Sequence, residues 1–277
     1  MNPRPAPPHS MPDKSAAAQR LGGLWKLAAL PLLLFIAVPI AVLFLRASPT
    51  HILASLQQEQ VYQAILVSLK TTLISLVLII LSGTPVAYLL ARKQFRLKRL
   101  LDALIDLPTI LPPSVAGVAL LMTFGRRGPI GSWLELAGMQ IAFSQAAVVL
   151  AQVFVAAPFF VRAAALGFAA IDVELEKAAQ LDGANRRQML RYVILPLARN
   201  ALISGAMLSW ARALGEFCAT IIFAGNYPGR TQTMPTAIYL GFEVDIDIAL
   251  TLSVILVTLS FISILLIKLL ALGDEEH

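Results

Sequence analysis

Charge-free apolar runs of about 20 residues recur along this chain, and a helix of that length covers the roughly 30 Å hydrocarbon thickness of a bilayer. Five such runs lie at Leu27–Leu45, Thr71–Ala91, Leu107–Gly125, Ile141–Val161 and Ile248–Ile267. A sixth, Ala201–Phe223, is equally long but holds Arg212 and Glu216. Six helical spans in 277 residues predict an all-α membrane protein with one folded domain and no room for a second. Composition agrees, with 58% hydrophobic and 14% charged residues, where a soluble domain is about half apolar and a quarter charged. The first run is too long for a signal-peptide core and is followed by further spans, so it reads as an uncleaved anchor.

Lys and Arg in the connecting segments set the expected orientation. One side holds Arg4, Lys14, Arg20, Lys26, Arg92, Lys93, Arg96, Lys98, Arg99, Arg162, Lys177, Arg186, Arg187, Arg191, Arg199 and Lys268, sixteen in all. The other holds four, Arg46, Arg126, Arg127 and Arg230, with Lys70 and Arg212 inside spans. Both termini are therefore expected in the cytoplasm, with the chain crossing the inner membrane of a prokaryote several times. The net charge of +6 belongs to these borders and not to a nucleic-acid surface, since a soluble basic domain is not this apolar. Residues 1–23, rich in Pro and small side chains, are expected to form a disordered cytoplasmic tail. A membrane domain over 24–272 and a short acidic end at 273–277 complete the division.

The segment Ile171–Pro196 lies on the basic side, too polar to cross the membrane yet patterned like helix. Asp172 is placed to cap a first helix, with Glu174 and Glu176 in its acidic first turn. Gly183 suits the left-handed residue that ends it. Asn185 and Gln188 have capping-box spacing for a second short helix, with Met189, Leu190, Val193 and Ile194 on its apolar side and Pro196 closing it. Two readings fit: a compact knob for another protein, or an amphipathic hairpin on the lipid surface.

Glu176, Ala178, Ala179, Asp182, Gly183 and Ala184, followed by Ile194, Leu195 and Pro196, resemble the EAA loop of permease subunits in binding-protein-dependent ABC importers of type I. The resemblance implies a cytoplasmic loop that docks into a groove on a separate ATP-binding subunit. It further implies two such subunits, a second copy of this chain, and an extracytoplasmic oxyanion-binding protein. The stretches Asp106–Gly131 and Ala211–Tyr239 are similar to molybdate permeases, and with the loop the resemblance covers 67–267. Sulfate and tungstate permeases share much of this pattern. Cys218 departs from the small residue expected there, and as a lone cysteine it excludes an internal disulfide.

The remaining candidates are read from their chemistry. Arg212 and Glu216, four residues apart in a span, form either a neutralised structural clamp near the pore or a cargo site in which Arg212 draws a dianion. Gly205, Ser209 and Ala213, and Ala211, Gly215 and Ala219, form small-residue stripes suited to close helix packing. Pro108, Pro112 and Pro113 must interrupt the backbone ladder at the start of the third span. Arg126, Arg127 and Arg230 on the external side either meet an anion or a binding protein, or are simply solvated. No GxxxxGK[ST], HExxH or GxSxG sequence occurs, and His9, His51 and His277 all lie outside the spans. No catalytic residue, metal or cofactor is expected on this chain. A passive channel or ion-coupled carrier is the rival from another class, and it would need coupling-ion groups in the spans beyond Arg212, Glu216 and Lys70.

Overall fold

A computed structural model describes residues 14–272, all-helical with short connections and no strand among the described residues. The first 13 residues of the expected tail and the acidic end 273–277 lie outside the described residues. Helix α1, Lys14–Arg46, begins inside the stretch expected as tail and continues through Pro31 and Pro39. It is a unit by itself, and from Ala28 onward it presents apolar side chains on all faces, the pattern of a lipid-facing helix.

The second unit runs from Pro49 to the end of the described chain. Helices α2 (Pro49–Leu56) and α3 (Glu59–Arg92) lead to α4 (Lys98–Ile110), α5 (Pro113–Phe124), α6 (Gly131–Leu136) and α7 (Gln145–Ala170). Then follow α8 (Val173–Leu181), α9 (Arg186–Gln188), a π-helical turn (Met189–Ile194), α10 (Leu195–Leu197), α11 (Arg199–Leu214), α12 (Cys218–Ala224), α13 (Met234–Val244) and α14 (Ile246–Leu272). Among the described residues four helices are long and apolar enough to cross a bilayer, or up to six where each of two bent helix pairs is one span.

The first bent pair holds the third expected span, while the second joins residues 186–197 to α11, which is only the first part of the fifth. Between α4 and α5 the chain turns through 115°. Leu111 and Pro112 are extended there and Pro113 opens α5, because a proline has no N–H to continue the ladder and biases the residue before it away from helix. Twelve residues of α5 span only about 18 Å, so the third span is a half-helix. The interruption expected from Pro108, Pro112 and Pro113 thus falls at Leu111–Pro112, while Pro108 stays inside α4. The fifth span breaks at Gly215–Phe217, between α11 and α12. The fourth runs nine residues beyond its expected end at Val161, to Ala170, because Arg162 finds two carboxylates and need not mark a membrane border.

Contacts define two ends of this unit. At one, Arg92 closing α3 reaches Ile171 after α7 and Glu176 of α8. At the other, Phe143 before α7 donates its N–H to Phe223 O of α12 (3.2 Å), and Gly229 lies against Gln63 near the start of α3. The first end carries Arg92, Lys93 and the basic residues of the 171–196 segment; the second carries Arg126, Arg127 and Arg230.

Helices α3, α7 and α11 form the centre. Gly83 sits so close to α7 that a Cβ there would lie 2.8 Å from Phe160 Cδ1, and a Cβ on Gly205 of α11 would lie 2.9 Å from Ala163 Cβ. Ser209, buried, donates to Ala156 O (2.8 Å). Hydroxyls on α3 supply the polar bonds: Ser75 donates to Gln152 Oε1 (2.9 Å), and Gln152 Nε2 donates to Thr71 Oγ1 (3.2 Å). Trp210 Nε1 donates to Thr72 Oγ1 (3.1 Å), and the Met234 N–H donates to Ser68 Oγ (2.7 Å). Interhelical bonds of this kind in lipid contribute on the order of 0.6 kcal/mol each, so the set matters more than any member. The half-helices α5 and α12 pack through Gly117, where a Cβ would approach Ala219 Cα at 3.0 Å and Ile222 Cβ at 2.9 Å.

The two glycine environments separate packing from conformation. Gly117→Val should reduce the yield of monodisperse protein and lower its thermal stability by about 1–3 kcal/mol, because the neighbouring α12 backbone has to move. Gly215→Ala meets only Ala211 O at 3.8 Å and should leave both measurements unchanged. Equal behaviour of the two variants in size-exclusion and melting assays would contradict this packing.

Candidate functional site

The hairpin over residues 171–196 is built by local hydrogen bonds before tertiary packing acts. Asp172 accepts from the Glu174 N–H (2.9 Å), capping α8. At the other end Gly183 has φ +84°, with Ala184 N bonded to Ala179 O (3.0 Å) and Gly183 N to Gln180 O (3.0 Å). That is a Schellman closure, and the positive φ accounts for glycine. No atom lies within 4 Å of where its Cβ would be, so space does not. Asn185 then accepts from the N–H groups of Arg187 (3.1 Å) and Gln188 (3.0 Å), while its own N–H donates to Gln188 Oε1 (2.8 Å). The anticipated capping box is present.

The second helix departs from expectation after Gln188. It widens into a π turn over Met189–Ile194 and passes through Pro196 in α10, bending by 67° only at Ala198. Pro196 therefore does not close the helix. Its ring would crowd the carbonyl four residues earlier in α-helical register, and the wider π turn just before it relieves that crowding.

Tertiary contacts then fix the hairpin's inner side. Met189 and Ile194 are buried with Leu90 of α3 and Phe168 of α7, and Ala179 packs against the same cluster. Glu176 faces Arg92 Nη2 at 2.9 Å as a largely buried ion pair, and Arg92 Nη2 also donates to Ile171 O (2.7 Å). Among the motif residues Glu176, Ala179 and Ile194 thus face inward, whereas Ala178, Asp182 and Gly183 face outward, and Ala184 and Leu195 line the cavity beneath. Leu175, Leu181 and Tyr192 leave a strongly exposed apolar side, with Leu181 at 89% exposure.

Arg212 and Glu216 do meet, at 2.9 Å, but not along one continuous helix. Glu216 lies in the break after α11, with its side chain 1% exposed against 29% for Arg212. Its Oε1 accepts the Ala219 N–H (2.8 Å), satisfying one of the free donors at the start of α12. The carboxylate therefore ties the two halves of the broken span together. Gly205, Ser209 and Ala213 are packing residues against the neighbouring helices, and Ala219 is the seat for Gly117.

At the opposite end, Arg126 is held by Glu135 (3.6 Å) and Gln140 (3.1 Å), while Arg127 and Arg230 are exposed. Arg126 and Arg127 border a cleft of about 490 Å³ with Leu121, Gln140 and Phe143. Arg230 is not among its lining, so the three external arginines do not form one site.

Sequence reading missed the clasp on Arg162. Its Nε meets Asp106 Oδ1 and its Nη1 meets Asp102 Oδ1, both at 2.6 Å, fastening α4 across α7. The signal was present: Asp102 and Asp106 share one face at i, i+4, and Arg162 is a lone charge beside an apolar run. No group of three or more potential metal-ligating side chains occurs among the described residues.

The model of the binding-protein-dependent transport system inner membrane component family matches residues 83–272. The chain belongs to that family. It is 42% identical to the molybdenum transport system permease protein ModB of Mycobacterium tuberculosis over 239 residues, 86% of this chain and 90% of the relative. To the protein of the same name from Escherichia coli K12 it is 40% identical over 219 residues, 78% and 96% of the two chains. Among solved structures, a chain of a bacterial alginate ABC transporter in complex with a periplasmic protein superposes with a TM-score of 0.67 at 18% identity, covering 92% of this chain and 93% of that one. A chain of the MetNI methionine ABC transporter gives 0.54 at 19% identity, covering 76% and 94%. The fold is that of ABC importer permeases.

Burial decides which partner of the Arg212–Glu216 pair is more sensitive. Arg212→Gln leaves a buried carboxylate with one remaining donor, and should lower stability by about 3 kcal/mol. Glu216→Gln keeps an acceptor for Ala219 and leaves a cation that reaches water, so its loss should be clearly smaller. The double variant should resemble Glu216→Gln alone. Melting and assembly yield across this cycle check the clamp; a double variant that assembles normally but cannot transport would reassign Arg212 to the cargo.

Proposed function

We propose that this chain is the membrane-spanning permease subunit of an ATP-driven importer whose cargo is molybdate. The observation that carries the mechanism is the hairpin at 171–196, fastened inwardly to α3 and α7 through Arg92–Glu176 and Ile194 while its outer apolar side stays open. A lever needs both properties: rigid attachment to the spans, and a free face on which a motor subunit can push. The cargo is supported by relatives at 40–42% identity that bear the name of molybdenum transport permeases.

The chain works as a homodimer with two ATP-binding subunits, whose grooves receive the outer side of the two hairpins, bearing Ala178, Asp182 and Gly183, while Glu176, Ala179 and Ile194 fasten each hairpin to the spans. Hydrolysis takes place on those partners, and this chain is not an enzyme. The end bearing Arg92, Lys93 and the hairpin faces the cytoplasm, as do both termini. An extracytoplasmic oxyanion-binding protein delivers cargo to the opposite end, where Arg126, Arg127 and Arg230 meet it or the anion. Steering by such exposed cations falls with ionic strength.

Uptake of labelled molybdate into vesicles containing the chain, its ATPase and its binding protein tests the reading, with sulfate and tungstate as competitors. Sulfate competing as well as molybdate would overturn the cargo. In the same assay Gly183→Val should reach the membrane normally but lose most uptake, because a β-branched residue is strongly disfavoured at positive φ. Gly183→Asn, which tolerates that conformation, should retain it. Normal uptake by the valine variant would remove the hairpin from the transmission path.

Orientation is checked separately by single cysteines introduced into a Cys218→Ser background. A cysteine at Arg230 should react with an impermeant external reagent, and one at Gln188 should not. External labelling at Gln188 would invert the topology.

A further inference from the structure

A cavity of about 870 Å³ lies between the last turns of α3 and the inner side of the hairpin. Ligand sites for small molecules span roughly 300–1,000 Å³, so this one is large enough for a specific occupant. Its floor is apolar, with Leu89, Phe168, Met189 and Leu195 among the lining side chains. Lys93 and Arg186 line it as well, and both are exposed. Neither side chain has an ion-pair or hydrogen-bond partner among the described residues. The one carboxylate facing the cavity, Glu176, is already neutralised by Arg92. Two unspent cations thus stand over an apolar chamber at the charged end of a membrane-spanning bundle.

We propose that this cavity binds an anionic phospholipid, with the headgroup phosphate between Lys93 and Arg186 and an acyl chain against the apolar floor. Basic pockets between membrane helices select anionic headgroups by charge, and the bilayer supplies such lipids to this end of the helices. A free phosphate would satisfy the two cations but leave the floor uncovered, so the occupant is a lipid. Because the lining comes from α3, α7 and the hairpin, a bound lipid bridges hairpin and spans, and its occupancy depends on the spacing between them. The site does not depend on which cargo is carried, but it shares Glu176, Ala184, Ile194 and Leu195 with the hairpin motif on which the motor attachment proposed above rests.

Native mass spectrometry of the full-length chain, titrated with phosphatidylglycerol or with phosphatidylcholine of identical acyl chains, provides the test. Phosphatidylglycerol should be retained selectively. Each near-surface Lys or Arg contributes roughly a fivefold gain for anionic lipid, so Lys93→Gln with Arg186→Gln should weaken retention about 25-fold. Arg96→Gln with Arg99→Gln, at the same end but outside the cavity, should leave it unchanged. Leu190→Trp fills the cavity while keeping both cations, and should also lower retention, so it decides the matter if the double variant does not fold. Equal retention of the two lipids, equal loss from the Arg96 and Arg99 changes, or displacement of the lipid by glycerol phosphate would each overturn the proposal. So would unchanged retention of phosphatidylglycerol by the Lys93 and Arg186 variant.

Discussion

The seam between α3 and α7 is the constraint on which the rest of the second unit depends. Lipid offers no hydrophobic drive for helices to associate, so they must hold one another by close approach and polar bonds. Gly83 lets the two backbones approach at Phe160, and the Thr71–Gln152–Ser75 chain adds direction to that contact. Thr72 and Ser68, on the same stretch of α3, reach Trp210 and the start of α13. One helix thereby sets the positions of three others.

The interrupted segments of the other spans are braced by charged side chains. The break after α11 is closed by a buried carboxylate that takes a donor from α12 and a cation from α11. The turn between α4 and α5 is braced by Asp102 and Asp106 on Arg162. Broken helix at membrane depth otherwise leaves unsatisfied backbone groups costing several kcal/mol each. Both braces are ionic and both attach a short segment to a long helix. The scaffold of α3 and α7 is thus held by neutral bonds and packing, and the bent segments by charge.

What was legible in the sequence was what the chain determines over a few residues. Asp172, Gly183, Asn185 and Gln188 act where their spacing placed them, because caps and left-handed turns depend on neighbours within one turn. The existence of the apolar spans was equally plain. The π turn was not, because Pro196 has two local solutions, ending the helix or widening it, and burial of Ile194 favours the second. Helix α13 rests on a contact that no local pattern shows: Ser68 of α3 accepts the Met234 N–H at its start, beside the buried Thr233 and Thr236. The end of the fourth span was misjudged for a similar reason: the partners of Arg162 lie 56 and 60 residues away. At the 171–196 hairpin the motif was visible, while the division of its residues into inward and outward faces was not, since that division is set by Arg92 and Leu90.

Arg92 and Arg162 also show that one charge can be read twice, at different stages in the life of the protein. While the chain is being threaded into the bilayer neither arginine has met its carboxylates, and each counts in full toward the choice of which loops stay behind. Once the helices have packed, Glu176 has taken up the first and Asp102 and Asp106 the second, and the folded surface no longer displays them as free cations. Synthesis and the mature structure therefore see different electrostatic maps of the same sequence. The carboxylates carry little weight in the first reading and most of it in the second. A substitution at Asp102 or Asp106 would leave the direction of insertion untouched and act only on the finished bundle, whereas one at Arg162 touches both histories.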